Sequence, residues 1–448
     1  MSGRFDAIVI GAGPAGEVAT SRLSAQGLRT ALVERELVGG ECAYWACIPS
    51  KTLLRPSEAQ AEARRAPGIA EPGAGWPEIV KYRDYMVRGL DDSGAVKGYE
   101  DSGVTVFKGE ARIEAPGEVR VGGRILATER IVIATGSESV IPPIDGLRDA
   151  GYWTNREATT LSEMPRDAIV LGGGPVGIEL GQMLRRYGAG VTIVQGAERL
   201  IDREDPRVGK LIADALRSDR IELRLGEKAS AVSRDGEKRT VGLDSGATVS
   251  AERLIVAIGR RPRAGDLGLE SLGVELGERG EIPTDSRCRV ADGVWAIGDV
   301  TGVSLFTHVG KYQARIACAD IAGDGRDADY TAIPRVVFSD PEIAAVGLTA
   351  QEAAERRIEV STAGADLMTI ARTETYGEGI GGEVGILADR ERRTVIGAWA
   401  VGPLAGEWIH QAVLAVKAEI PLDVLRDTVA QFPTFTESYL PALERLEV

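Results

Sequence analysis

Two thiols five residues apart, Cys42 and Cys47, lie in the segment GGECAYWACIPSK at residues 39–51, with Tyr44 and Trp45 between them and Pro49 and Lys51 just beyond. Five helical steps would hold the two Cα atoms roughly 8.6 Å apart, against about 4.4–6.8 Å in a disulfide. A bridge therefore needs a distorted turn. Pro49 has no N–H and disfavours the αR region at Ile48, so the spacing predicts an irregular start to a helix that continues through SKTLLRPSEAQAEARR. Thiols at a helix start gain thiolate character from the exposed N–H groups and the macrodipole. Such a pair suits redox chemistry, and the same spacing equally fits two unpaired, buried cysteines.

The elements that must position these thiols are announced by a repeat. AIVIGAGPAGEVATSRLSAQGLRTALVER (residues 7–35) and AIVLGGGPVGIELGQMLRRYGAGVTIVQG (168–196) share strand, glycine turn, helix and second strand in one order, and related strands, RIVIATGS (130–137) and RLIVAIGRRP (253–262), close each half. Two dinucleotide-binding units in one chain follow. Between them lie a helical stretch at 57–100 and short alternating strands near 104–128. After the second unit come VWAIGDVTG (294–302), a helix from about 308 to 324, and a C-terminal block of strands and helices from Ala332. Gly323 to Asp329, rich in Gly, Asp and Arg, is the best linker candidate.

At 448 residues the chain exceeds one hydrophobic core, which predicts about two to four domains. No apolar run approaches the roughly 20 residues of a membrane span. The start FDAIVIGAG carries Asp6 and runs into a glycine turn, which reads as a buried strand and not a signal peptide. Four cysteines in so long a chain point to a reducing compartment, and the cytoplasm is the expected location. A net charge of −14, from 53 basic and 67 acidic residues, disfavours nucleic acid or an anionic membrane as partner.

A lone GxGxxG says little, but Gly11, Gly13 and Gly16 follow an apolar strand, precede a helix, and are followed by Glu34 at the end of the next strand. Glycines so placed let backbone N–H groups approach a pyrophosphate, and the acid about 20 residues on receives a ribose hydroxyl. Gly172, Gly174 and Gly177 repeat the context with Gln195 in the acid's place. A neutral side chain there removes repulsion toward a 2′-phosphate, and Arg199 and Arg203 follow closely. NADPH is expected over NADH, although Gly196 stands where a phosphate-binding arginine is expected and both arginines also suit a solvated helix face.

With GGECAYWACIPSK set among two such fingerprints, the chain resembles the pyridine nucleotide-disulfide oxidoreductases, the family of dihydrolipoamide dehydrogenase, glutathione reductase and mercuric reductase. The likeness runs over essentially the whole length, on C-x4-C-x-P-S-K, VIATGS, the second GxGxxG with Glu179 two residues beyond it, WAIGDV and VVFSDPEIAAVGLT. It implies an α/β fold of two Rossmann-like dinucleotide-binding domains and a C-terminal α+β dimerisation domain. The FAD domain would take residues 1–150 and 280–325, the NAD(P) domain 151–279, and the dimerisation domain 330–448. FAD would lie on Gly11, Gly13, Gly16 and Glu34, with Thr135 and Gly136 of VIATGS and Asp299 of WAIGDV, the match to the acid on the ribityl chain. The nicotinamide nucleotide would lie on Gly172, Gly174 and Gly177 with Gln195, Arg199 and Arg203. Hydride would pass from nicotinamide through the flavin to the thiols. Cys47 would be the flavin-facing thiol, Cys42 the interchange thiol, and Lys51 the lysine near flavin N5 with Glu179 as its ion-pair partner, since a buried ammonium needs one.

The departure lies near the C-terminus. The family pattern H-P-T-x-x-E is here FPTFTE, with Phe432 in the histidine's place and Pro433, Thr434 and Glu437 retained. That histidine, supplied by the other subunit, deprotonates an incoming dithiol or protonates a leaving thiol, and phenylalanine does neither. Glu437 is a candidate for the family's catalytic acid or, with no imidazole to orient, a polar interface residue. Of the chain's two histidines, His308 suits capping or packing and His410 an interface or core helix. Tyr44 and Trp45, where the family usually has small residues, either line an acceptor pocket or pack under the flavin. Cys288 and Cys318 are isolated and read as buried thiols.

The expectation is a homodimeric, cytoplasmic FAD enzyme that oxidises NAD(P)H and passes two electrons to a small-molecule acceptor. A quinone or other conjugated molecule ranks ahead of a standard disulfide, and no nucleic acid, membrane or metal is assigned. Two alternatives stand beside it: a dihydrolipoamide dehydrogenase or other disulfide reductase with a substitute base, and a flavin-binding redox sensor or structural protein.

Overall fold

The apolar runs AIVI and TALVE become the strands Ala7–Ile10 and Thr30–Glu34, whose residues are all buried, as strands covered on both faces of a parallel sheet must be. The computed structural model describes residues 3–448 apart from Glu71, Ala74 and Glu378. Its chain divides into two units: one takes residues up to 49 with 81–140 and 259–329, the other 50–80, 141–258 and 330–448.

The first unit is built on a six-stranded sheet in the order Arg289–Ala291, Val294–Ala296, Ile131–Ile133, Ala7–Ile10, Thr30–Glu34, Thr105–Lys108. Its strands run parallel except at the Arg289–Ala291 edge. Helices Pro14–Ala25 and Thr307–Ile321 pack on one another. A smaller four-stranded sheet holds Ala111–Ala115, Glu118–Val121 and Arg124–Ala127 in hairpins.

The second unit contains a four-stranded parallel sheet, Glu222–Leu225, Gly190–Gln195, Asp167–Leu171, Arg253–Val256. It also contains a five-stranded antiparallel sheet in the order Arg335–Val337, Glu342–Gly347, Thr394–Gly402, Glu383–Asp389, Val360–Asp366. Helices His410–Lys417 and Tyr439–Glu444 cover the latter, burying Val413, Val416, Ala442 and Leu443.

Two local expectations change. The irregular turn falls at Trp45 and Ala46, between a short helix Gly40–Tyr44 and a helix that begins at Cys47 itself, Cys47–Arg65. Pro49 is the third residue of that helix, where its missing N–H would have had no intrahelical partner, so Ile48 joins the helix. The helical stretch at 57–100 is three helices, Cys47–Arg65, Trp76–Met86 and Ser93–Asp101. The second break follows Arg88, Gly89 and Leu90, at φ of 55°, 58° and 60°, a left-handed turn that no helix continues through.

Candidate active site

The first glycine loop is closed to side chains at two positions and open at one. A Cβ on Gly16 would lie 1.9 Å from the Gly11 carbonyl oxygen, and one on Gly11, at φ 99°, would lie 2.4 Å from that of Ala134. Over Gly13 there is open space, and the helix Pro14–Ala25 starts there with no side-chain cap. Uncapped N–H groups facing open space suit a pyrophosphate. Glu34 braces the loop: Oε2 accepts from the Ala12 N–H and Oε1 from the Glu36 N–H, each at 2.7 Å.

The second loop repeats these contacts. A Cβ on Gly177 would lie 1.9 Å from the Gly172 oxygen, one on Gly172 2.4 Å from that of Ala257, and Gly174 faces open space. Gln195 Oε1 accepts from the Gly173 N–H at 2.9 Å. Arg199 turns inward, its Nη2 donating to the carbonyls of Asp202 and Glu204, whereas Arg203 is exposed. Lys228 was not read from the sequence. Its stem lies against Gly196, where a Cβ would meet Lys228 Cγ at 3.0 Å, which puts a cation beside the strand end.

Thr135 and Gly136 follow the strand Ile131–Ile133. Thr135 Oγ1 donates to the Arg263 carbonyl at 2.6 Å, and the Arg263 N–H donates to that of Gly136 at 2.9 Å. Asp299 is held by a residue that sequence reasoning missed: Ser137 Oγ donates to its Oδ2 at 2.6 Å and accepts from Arg260 Nε at 2.8 Å. Burial pushes the Asp299 carboxyl up, while Ser137 and Arg260 hold it back. The signal was present, since Ser137 ends VIATGS and Arg260 lies in IGRRP.

Cys42 and Cys47 are half-buried with no disulfide between them. A hydrogen bond with Cys47, then burial, push the Cys42 thiol well above the ordinary thiol range. Thr307, also missed, donates its hydroxyl to Cys42 Sγ at 3.4 Å and stands 3.6 Å from Cys47 Sγ. Tyr44 is buried, its hydroxyl donating to the Val38 carbonyl at 3.2 Å, and Trp45 tilts against it. Cys288 and Cys318 are buried apart from this pair, and burial pushes the Cys318 thiol up to about 12.

In the second unit Lys51 Nζ meets Glu179 Oε2 at 2.6 Å, and the buried Glu179 also accepts the Phe338 N–H on Oε1 at 2.9 Å. Lys51 Nζ lies 4.7 Å from the centre of the Phe338 ring, a cation–π contact. Phe432 is 73% exposed. Glu437 keeps Oε2 buried with no hydrogen-bond partner among the described residues. His308 stacks on Phe306 and His410 is exposed at the start of its helix. Among the described residues no group of three or more His, Cys, Asp or Glu could hold a metal, and no helix is long and apolar enough to cross a membrane.

Residues 5–322 match the family described as pyridine nucleotide-disulphide oxidoreductase, and residues 333–443 match its dimerisation domain. The chain belongs to this family. A mercuric reductase of Bacillus cereus is 33% identical to the oxidoreductase over 442 residues, 97% of this chain and 70% of the relative. A dihydrolipoyl dehydrogenase of Thermus scotoductus is 34% identical over 455 residues, 99% of this chain and 97% of the relative. Among solved structures, the HOCl-induced flavoprotein disulfide reductase of Escherichia coli matches with a TM-score of 0.88 at 27% identity, covering 99% of this chain and 100% of that one. The oxidoreductase is an α/β flavoenzyme that uses FAD and NAD(P)H, and its dimerisation domain supports a homodimer. The open glycine loop and the uncapped helix start fit FAD in the first unit.

Proposed function

We propose that this oxidoreductase takes two electrons from NAD(P)H, preferring NADPH, and delivers them to a small conjugated acceptor such as a quinone ahead of a standard disulfide. Phe432 carries the reading. An exposed phenyl ring in the position of the family's histidine neither takes a proton from a dithiol nor gives one to a leaving thiol. Reduction of a quinone needs no thiol base. The buried Oε2 of Glu437, with no hydrogen-bond partner among the described residues, supports the same reading, since the acid has no imidazole at position 432 to orient.

In this reading residues 1–150 and 280–325 form the FAD domain, 151–279 the nicotinamide domain and 330–448 the interface. FAD, when bound, supplies the two-electron carrier between nicotinamide and thiols. Gly11, Gly13, Gly16, Glu34, Thr135, Gly136 and Asp299 would hold it, with Lys51 and Glu179 at its reactive edge. Gly172, Gly174, Gly177 and Gln195 would hold the nicotinamide nucleotide, with Arg203 beside them; Arg199, tied to two carbonyls, would shape the loop. Cys47 would face the flavin and Cys42 the acceptor side. Four cysteines and a reduced-nucleotide donor make the cytoplasm the compartment we infer.

The test is initial rates with NADPH against menadione, lipoamide and glutathione disulfide. A kcat/KM for the quinone at least about tenfold higher, some 1.4 kcal/mol in barrier, is expected; the reverse order overturns the reading. The hydrogen-bonded thiol pair favours a second reading, a disulfide reductase with another base. In that case Phe432→His should leave an already high disulfide rate unchanged, whereas on the first reading it should raise a low one.

A further inference from the structure

Gly173, between the first two glycines of the second loop, is held from both sides. Its N–H donates to Gln195 Oε1 at 2.9 Å, and its carbonyl accepts from the Ile201 N–H at 3.0 Å. Ile201 is buried and stands at φ 46°, a left-handed conformation that a β-branched residue keeps only where its surroundings enforce it. The enforcement comes from Glu204. Its N–H closes the turn on the Ile201 carbonyl at 3.0 Å. Its carboxylate is gripped by Arg335, 131 residues away, with Nε on Oε1 at 2.6 Å and Nη2 on Oε2 at 2.9 Å. Arg335 opens the edge strand Arg335–Val337 of the five-stranded sheet, where its Nη1 also donates to the Gly347 carbonyl at 3.2 Å.

We propose that Arg335 is a positioning residue for the nicotinamide nucleotide, acting through Glu204 and Ile201 to fix the peptide between Gly173 and Gly174. The proposal rests on the reading that puts the nucleotide on Gly172, Gly174 and Gly177, and it is independent of the acceptor. The Gly173 carbonyl and the Gly174 N–H belong to one planar unit, so anchoring the carbonyl aims the N–H. That N–H lies where the loop faces open space, at the uncapped start of the helix Pro175–Arg186, the place for a pyrophosphate.

A guanidinium that engages both carboxylate oxygens fixes an angle as well as a distance. The Glu204 side chain is only 11% exposed, so a carboxylate deprived of its partner would turn toward water and draw its own amide off Ile201. Two neighbouring arginines stay outside this chain of contacts. Arg199 holds the carbonyls of Asp202 and Glu204, and Arg207, on the helix that follows, reaches Glu383 at 2.6 Å. NADPH and NADH share the pyrophosphate, so Arg335 should serve both alike, in contrast to a side chain that reads the ribose.

The experiment is anaerobic reduction of the bound flavin by NADPH and by NADH, followed by the loss of visible absorbance over a range of nucleotide concentrations. Glu204→Gln, nearly isosteric, should raise the half-saturating concentration of both nucleotides by one common factor of about tenfold, with the limiting rate and the flavin content unchanged. Arg335→Met should do the same. The double variant should be no worse than the worse single, because the two groups act as a unit. Glu383→Gln, which breaks the Arg207 contact beside the turn, controls for general loosening: it should lower Tm and leave half-saturation in place. Half-saturation unmoved in both single variants, effects that multiply in the double variant, or an equal rise from Glu383→Gln would overturn the proposal. Gly177→Ala separates the two levels. If it too leaves half-saturation unmoved, the nucleotide reading fails and the role of Arg335 with it; if it raises half-saturation while Glu204→Gln does not, only the role of Arg335 fails.

Discussion

Gly16 and Gly177 each face a carbonyl oxygen that a Cβ would approach to 1.9 Å, and Gly11 and Gly172 each face one at 2.4 Å, so the two loops share one backbone. They differ at the strand end, where Glu34 engages both oxygens with the Ala12 and Glu36 amides while Gln195 engages only Oε1, with Gly173. The strand-end side chain thus has two separable tasks. Bracing the loop amide needs an acceptor oxygen, which Glu and Gln both supply; selecting a ribose turns on charge, which Glu carries and Gln lacks.

The strongest way to break this comparison is to fill each loop. Gly16→Ala should cut flavin content at least about tenfold, because overpacking against backbone costs about 1–3 kcal/mol or more. Gly177→Ala should keep the yellow colour and raise the KM for NAD(P)H at least about tenfold. Loss of flavin from Gly177→Ala would show that the loops are not independent. Next comes Gln195→Glu, which keeps the bond to Gly173 and adds a charge. The ratio of kcat/KM for NADPH over NADH should fall about tenfold, near 1.4 kcal/mol, with Tm unchanged; an unmoved ratio would detach Gln195 from nucleotide choice.

Glu34→Gln is subtler. An amide accepts from one of the Ala12 and Glu36 N–H groups and turns its own NH₂ toward the other, at a cost of about 1–2 kcal/mol and a Tm lowered by about 2–4 °C. The smallest effects separate two cations. Lys228→Ala should raise the KM for NADPH about threefold with NADH unaffected. Arg199→Ala should move Tm and neither KM, since its guanidinium serves the Asp202 and Glu204 carbonyls. Equal KM effects from the two would return Arg199 to the nucleotide site.

What could be read from the sequence was local. The glycines announce themselves because strand, turn and helix lie within about 30 residues. Contacts between distant segments were out of reach of spacing: Thr307 meets Cys42 across 265 residues, and Glu179 finds the Phe338 amide across 159. The Lys51–Glu179 pair, 128 residues apart, came only through the family resemblance. Gly196 lacked the expected arginine, but that its bare backbone would admit the stem of Lys228 depends on how Glu222–Leu225 pairs with Gly190–Gln195. Pro49 misled because its rule at Ile48 was applied without its place in the chain; in a first turn the missing N–H has nothing to lose.

Glu34 seals the first loop using only protein groups, so the cradle stands ready-made. A newly synthesised chain then has little left to order when it meets its cofactor, and rigid sites of that kind capture ligands at rates governed by encounter and not by slow rearrangement. Loading during biosynthesis should therefore keep pace with folding, and the pool of colourless protein in a growing cell should report cofactor supply.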